Sequence, residues 1–401
     1  MPRRQLGLNV FEAATERLAS LYRSGHTVVC SFSGGKDSTA VLELAVIAAR
    51  REGCLPVDVI IQDEEVAYPG TYEFVDQTAQ RPEVRMHWLV MQQPMLNVFN
   101  RALPYFWVLD PLLDPDEWVR KPPAYAEFVK EKAIELMANP HRFPGCLTPR
   151  RTSWGEAPEG KKLVCLIGLR VEESPKRAMG LHASGGWVCN SNDLGTFNAR
   201  PIYDWKESDV WKFLRDNKCA YNRAYDVLHK MGTRRMRIGP PTMTAMSIEQ
   251  LSVASRAWPQ WFDRVCRRVP GVRTAVLFGR RACQPNRQHG ETWEKCFYRE
   301  CLGANTPTWI RERSQLILES QLRRHAQHSA GPIPEVVPCK SGCDDLMGSW
   351  RSMARAMWSG DPYCFKTTRL EMVEPEFFRP GSGTWAGDWA KITGKKIKVM
   401  F

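Results

Sequence analysis

Residues 27–39 read Thr-Val-Val-Cys-Ser-Phe-Ser-Gly-Gly-Lys-Asp-Ser-Thr, and this stretch decides the fold. Its first half, 27–32, is a short β-rich run. Its last residues open 38–51, a segment of strong helix formers with a broad apolar face. The glycine pair between them, Gly34 and Gly35, lets the backbone approach a ligand closely, and amides at a helix start favour an anion. Ser31, Ser33, Ser38 and Thr39 surround the pair with hydroxyls, and Lys36 adds a point charge suited to phosphate. A Walker A loop is excluded, because that pattern needs glycine at position 30 and Ser or Thr at position 37, where this chain has Cys30 and Asp37.

Outward from the loop, strands and helices alternate. Residues 57–62 predict a second strand, 70–80 a second helix and 84–90 a third strand. Alternation of this kind implies βαβ units, a mainly parallel doubly wound sheet, and a ligand crevice at the strands' C-terminal ends. Before the first strand, Val10, Ala13, Ala14, Leu18 and Leu21 fall at helical spacing between Asn9 and Tyr22. Residues 104–150, rich in Trp, Pro and Tyr, read as an irregular insertion with one helix near 124–138. Strands resume at 163–170 and 198–203, followed by a helix with Asp204 as N-cap and Glu207 in its first turn. Helices dominate from about 247 onward, and 331–345 reads as a loop. The expectation is an α/β nucleotide-binding domain over 1–245 and a mainly helical region over 246–401.

The chain has 401 residues, 43% hydrophobic and 25% charged, the balance of an ordinary globular protein. No stretch approaches a membrane span, and the N-terminus lacks the apolar run of a secretory signal, so a cytoplasmic protein is expected. A net charge of +12 favours polyanionic partners such as nucleotides or nucleic acid. Thirteen scattered cysteines fit reduced thiols rather than a disulfide framework.

The Ser-Gly-Gly-Lys-Asp-Ser loop resembles the SGGxDS signature of the PP-loop ATP pyrophosphatases, whose fold is the adenine nucleotide alpha hydrolase-like sheet. Three further blocks narrow the resemblance to the branch of phosphoadenosine phosphosulfate (PAPS) reductases. Residues 62–74, Gln-Asp-Glu-Glu-Val-Ala-Tyr-Pro-Gly-Thr-Tyr-Glu-Phe, look like that branch's D-T-G-x-x-F-P-E-T-Y block. Gly168-Leu169-Arg170-Val171-Glu172-Glu173-Ser174-Pro175-Lys176-Arg177 resembles its G-x-R-x-D-E-S-x-x-R block. Residues 200–211, beginning Arg-Pro-Ile-Tyr-Asp-Trp and ending Asp-Val-Trp, are similar to its P-L-x-D-W-x-x-x-D-V-W block. Asn9 to Ala14, Tyr221 to Asp226 and Gly348 to Met353 are similar to the phage and prophage subfamily that includes the immunoglobulin-binding regulator A protein.

The resemblance implies an enzyme that binds ATP, PAPS or a related adenine nucleotide with Mg²⁺. It would split ATP between the α- and β-phosphates and adenylylate an acceptor for sulfur or other group transfer, nucleic acid being one candidate. Lys36 and the loop would cradle the triphosphate, with Gly168 and Glu173 in the neighbouring block. Arg170 and Arg177 would clamp phosphates, the alternative being charge pairs with Glu172 and Glu173. Asp63, at a strand end beside the loop, would meet adenosine or Mg²⁺. Relatives imply a ParB/sulfiredoxin-like partner protein. PAPS reductases attack sulfur with a cysteine in a C-terminal E-C-G-L-H tail, whereas Cys364 is the last cysteine here. Reduction of a sulfonucleotide by another cysteine, and nucleotide sensing without turnover, are the rival readings.

Cys146, beside Arg150 and Arg151, matches the place of a cysteine motif in sulfur-transferring relatives, and the arginines would favour its thiolate. Cys283, Cys296, Cys301, Cys339 and Cys343 supply enough thiols for Zn²⁺ or an Fe–S cluster, or else are plain reduced thiols. Between Arg256 and Arg287 lie eight arginines and one acid, Asp263, interleaved with Trp258, Trp261, Phe262 and Phe278. That mixture suits a nucleic-acid strand or a solvated face over a helical core. Arg234, Arg235 and Arg237 are expected at the substrate mouth.

Overall fold

A computed structural model describes residues 7–92, 94–100, 105–128, 160–183, 186–190, 196–233, 237–279, 283–328, 332–336 and 348–359. The first helix, α1 (Val10–Arg23), starts at a capping box. Asn9 accepts from the Glu12 N–H at 3.0 Å, and the Glu12 carboxylate accepts from Asn9 N–H at 3.0 Å. Its buried stripe, Ala14, Leu18 and Leu21, packs mainly on the helix that follows the loop rather than directly on the sheet.

The loop sequence lies between β1 (Thr27–Ser31), whose three central residues are buried, and α2 (Lys36–Arg51). Then come β2 (Val57–Asp63), α3 (Thr71–Ala79) and β3 (Val84–Val90). β4 (Pro94–Leu96) follows, the insertion holds β5 (Tyr105–Trp107) and β6 (Glu127–Phe128), and β7 (Leu163–Leu166) and α4 (Pro175–Ala183) come next. β8 (Val188–Asn190), β9 (Thr196–Ala199), α5 (Glu207–Asp216) and α6 (Ala224–Lys230) complete this part.

The described strands form a seven-stranded sheet ordered β6-β3-β2-β1-β7-β9-β8, parallel except for β8 against β9, and β4 pairs with β5 in a separate hairpin. The chain winds outward from β1 through β2 to β3, then returns across β1 to β7. The order therefore reverses between β1 and β7, and a crevice at the C-terminal ends of those strands is the geometric result.

Six described helices follow α6, and none of them belongs to the sheet. They begin with α7 (Ile248–Ala257), α8 (Pro259–Arg268) and α9 (Val272–Phe278). These three add Leu251, Ala254, Val265, Val272 and Ala275 to the apolar core of the sheet, which extends as far as Cys283. The remaining described helices, α10 (Trp293–Cys301), α11 (Thr308–His328) and α12 (Trp350–Ser359), close around a second core that includes Phe297, Ile310, Ile317 and Met357. Among the described residues no helix is long and apolar enough to cross a membrane.

Several sequence expectations need correction. The strands expected over 163–170 and 198–203 end at Leu166 and Ala199, because the chain must turn there to form the crevice. The helix expected near 124–138 begins instead as a turn and the edge strand β6, and residues 129–138 lie outside the described residues. Asp204 is not the cap of α5. It accepts two hydrogen bonds from Arg17, at 2.6 and 2.9 Å, while Asp209 accepts from the backbone N–H of Lys206 at 2.7 Å.

Candidate functional site

At the β1–β7 reversal the Gly-rich turn rises and falls back into α2. Gly34 has φ of +70°, a conformation that costs glycine little and other residues much. Ser38 Oγ and Thr39 Oγ1 each donate to the Gly35 carbonyl at 2.9 Å, so the two hydroxyls tighten the first turn of the helix. Ser33 Oγ lies 3.2 Å from Ser38 Oγ across the mouth of the loop.

The β7 side comes equally close. A Cβ at Gly168 would lie 2.8 Å from the Asp37 carbonyl carbon and 2.9 Å from Ser38 N, so only glycine fits without movement. Two residues on, Arg170 is 3% exposed; its Nε donates to Asp37 Oδ1 at 2.6 Å and its Nη1 to Glu172 Oε2 at 2.8 Å. The short 3₁₀ turn at Val171–Glu173 brings Glu173 Oε1 back onto the Arg170 N–H at 3.3 Å and sets Glu173 against Arg177.

Lys36 is also buried, at 7% exposure, with its Nζ 3.2 Å from Asp37 and 3.4 Å from Glu207. Its backbone N–H donates to the Tyr225 hydroxyl at 3.0 Å, and burial pushes that phenol above its ordinary range. A cavity of about 280 Å³ opens between these groups, at the lower end of small-ligand pockets. Of the residues singled out from sequence, Ser31, Ser33, Gly35, Lys36, Asp37, Ser38, Gly168, Glu173 and Arg177 line it. So does Arg237, an exposed residue with no ion-pair partner among the described residues. Arg234 and Arg235 lie outside the described residues.

Four candidates stand apart from that lining. Gly34 shapes the turn, Thr39 is turned into the helix, and Arg170 sits behind Asp37 as its counter-ion. Asp63 is 1% exposed; it accepts from Trp88 Nε1 at 2.9 Å and from Glu65 N at 2.8 Å, and pairs with Arg120. Its carboxylate is thus engaged in the sheet's own scaffold. Sequence reasoning missed Tyr225 and Glu207 as neighbours of Lys36. Tyr225 lies within a segment that carried the family resemblance, but nothing in the spacing ties it to a loop 189 residues away.

The cysteine candidates divide. Cys146, Cys339 and Cys343 lie outside the described residues. Cys283 is buried in the core of the sheet, whereas Cys301 is buried in the C-terminal core with Cys296 on the same helix. Among the described residues no group of three or more metal-binding side chains exists. Burial pushes the Cys296 thiol up to about 11, the opposite of what a metal-ready thiolate needs.

In the arginine-rich stretch, Trp258 stacks on Tyr68 at 5.2 Å, and Trp261 and Phe262 are buried, so most of the aromatics serve the core. Arg268 is buried against Glu65 at 2.9 Å and Arg273 pairs with Asp263 at 2.6 Å. Arg256, Arg264 and Arg267 are exposed, while Arg280 and Arg281 lie outside the described residues.

Residues 27–239 match the phosphoadenosine phosphosulfate reductase domain. Across 90% of its length the chain is 24% identical to the uncharacterized protein YbdN of Escherichia coli (strain K12), of which it covers 90%. It is also 24% identical to the adenosine 5′-phosphosulfate reductase of Anoxybacillus flavithermus, over 48% of this chain and 66% of that protein. Among solved structures, a phosphoadenylyl-sulfate reductase of Candida auris in a phosphate complex matches with 16% identity and a TM-score of 0.32, over 54% of this chain and 84% of that one. An FMN adenylyltransferase of Candida glabrata, in complex with FAD and inorganic pyrophosphate, matches at 13% identity and TM-score 0.32, over 54% and 58%.

Proposed function

The chain belongs to the phosphoadenosine phosphosulfate reductase domain family, and on that footing we propose that it binds ATP or a related adenine nucleotide at the β1–β7 crevice and transfers the adenylyl group to an acceptor. The observation that carries this reading is the pair of nearly buried cations, Lys36 and Arg170, on opposite sides of Asp37 at the mouth of a Gly-rich helix start. Buried cations held by carboxylates at a helix N-terminus are a store of positive charge that a polyanionic triphosphate can take over. Arg177 and Arg237 on the cavity wall extend that charge toward a leaving pyrophosphate.

An acceptor oxygen attacks the α-phosphorus, the bond from that phosphorus to the oxygen bridging the β-phosphate breaks, and pyrophosphate leaves with the electron pair. A second nucleophile can then displace AMP from the adenylylated acceptor. Little covalent chemistry falls to the protein, so its work is positioning and charge neutralisation. Lys36 is placed to follow the negative charge that builds on the leaving group, and Arg170 fixes the orientation of Asp37. Magnesium keeps much of its shell as water and phosphate oxygen and takes one or two carboxylates; Asp37 and Glu173 line the cavity, fit that demand, and would hold it to neutralise the phosphates.

Reduction of a sulfonucleotide needs a thiol at the reacting sulfur, and none of the described cysteines lines this cavity. Cys30 and Cys165, on the two flanking strands, are held protonated by burial, Cys165 with its thiol pushed up to about 11.

Incubation of the protein with ATP, Mg²⁺ and candidate acceptors, followed by pyrophosphate assay and mass spectrometry, tests the reading. Acceptor-dependent pyrophosphate release that disappears in Lys36→Ala is the expected result. Absence of both ATP binding and pyrophosphate release overturns it. Thiol-dependent sulfite release from PAPS points instead to the reductase, and tight ATP binding without turnover to a nucleotide-sensing protein.

A further inference from the structure

A second opening lies beside the loop cavity, on the far side of the first turn of α3. Thr71 faces the loop: a Cβ on Gly34 would be 3.2 Å from Thr71 Cγ2, and Asn222 Nδ2 donates to Thr71 Oγ1 at 3.0 Å. The next residue, Tyr72, lines a recess of about 250 Å³ together with Tyr68, Arg120, Trp261 and Arg264. Val119, Arg120 and Arg264 also line a wider cleft of about 670 Å³, so the two openings share a wall. Trp118, Lys121 and Arg267 are on the cleft's remaining sides.

We infer that this recess and cleft bind an aromatic base carrying a phosphate, with the base in the recess and the phosphate on the exposed face of α8. That such a ligand is the acceptor rests on the adenylyl-transfer reading; that it binds here does not. The recess wall is built for a flat ring. Tyr68 packs against Trp261 with ring centroids 5.3 Å apart, and the Arg120 guanidinium lies 3.3 Å from the centre of the Tyr72 ring. Aromatic and guanidinium planes of this kind stack with bases irrespective of base identity.

Two donors in the wall have no acceptor among the described residues. Trp261 is 9% exposed, and its indole N–H is buried without a partner; the same holds for Arg120 Nε. Both atoms are closed off from solvent, and a small turn of either side chain toward the recess brings it to a ligand acceptor. Glu73, also on the wall, offers an acceptor to an exocyclic amino group.

The phosphate follows from the distribution of charge. Arg120 is neutralised by Asp63, Arg268 by Glu65 and Lys121 by Asp116. Arg264 and Arg267, three residues apart on one helix face, have no carboxylate partner among the described residues. They are the cations left to an incoming anion. A free mononucleotide and one unit of a single strand share this chemistry.

Binding is measured on the full chain with the loop cavity saturated by a non-hydrolysable ATP analogue. The probes are nucleoside monophosphates, followed by calorimetry, and a short fluorescein-labelled single strand, followed by anisotropy. Binding of either probe is expected, and it falls about tenfold or more in the double variant Arg264→Glu/Arg267→Glu. Both positions are exposed, so circular dichroism of that variant should match the wild type. Trp261→Phe should weaken binding by a smaller factor while keeping an aromatic ring in the wall. Strand binding without mononucleotide binding identifies a nucleic acid as the source, and comparable mononucleotide binding identifies a free nucleotide. If neither probe binds, or if charge reversal leaves the affinities unchanged, the inference is wrong. ATP-analogue binding, lost in Lys36→Ala and retained in the Arg264/Arg267 variant, reports separately on the loop cavity.

Discussion

Across the crevice between β1 and β7, Arg170 Nε donates to Asp37 Oδ1 at 2.6 Å, joining the loop of one strand to the loop of the other. The Arg170 side chain is only 4% exposed, so Asp37 is its main counter-ion and Glu172 its second. Removing Asp37 leaves a guanidinium in a poorly solvated site with one partner. Asp37→Ala should therefore lower unfolding stability by about 2–3 kcal/mol in a urea titration and abolish pyrophosphate release. An unchanged midpoint would show that the pair is too well hydrated to matter.

Gly168→Ala tests the closeness of the same two loops. The new methyl would meet the Asp37 carbonyl carbon at 2.8 Å and its oxygen at 3.0 Å, both backbone atoms that cannot rotate aside. Overpacking of this kind costs about 1–3 kcal/mol, and the shift of Asp37 should weaken ATP binding in parallel. Gly180→Ala is the control, since nothing lies within 4 Å of its Cβ position and it sits in a helix. There the substitution should be neutral or slightly stabilising.

Glu65 and Arg268 form a buried pair that fastens α8 to the end of β2. Glu65 is 0% exposed and accepts from Leu109 N at 2.6 Å, Val119 N at 3.0 Å and Arg268 Nε at 2.9 Å. Arg268→Met strands that carboxylate and should cost about 3–5 kcal/mol, measured by chemical unfolding. Combining it with Glu65→Gln should recover part of the loss, because the orphaned charge is gone.

Glu64 gives a pH signature. Burial, with the Asp63 charge beside it, pushes its carboxyl from an ordinary 4.5 up to about 7. The folded state then holds more protons than the unfolded state between those values, so this group makes stability fall as pH rises through that window. Glu64→Gln should accordingly be more stable than wild type by on the order of 2 kcal/mol near pH 8. The difference should vanish below pH 4.5, where the acid is protonated in both states. A difference independent of pH would contradict this account.

The central sheet was legible because its signals are local. A buried β-run, a glycine turn and a helix follow one another within residues 27–51, and their order implies parallel pairing through a crossover. The short edge strands β4, β6 and β8 were not, since two or three residues carry no periodicity and their pairing depends on what lies beside them.

Chemical type was likewise local, and placement was not. The sequence by itself determined that residues 31–39 make a glycine turn carrying hydroxyls and a lysine, and its block at 168–177 named Gly168, Glu173 and Arg177 as candidates beside that turn. Only the tertiary structure decided that Tyr225 and Glu207 reach Lys36, that Asp63 is engaged by Arg120 and Trp88, and that Arg268 is buried while Arg264 and Arg267 stay exposed. The physical reason is common to all three. Whether a charge is spent on a neighbour or left for a ligand depends on which distant carboxylate or hydroxyl the fold delivers, and residue spacing along the chain does not encode that distance.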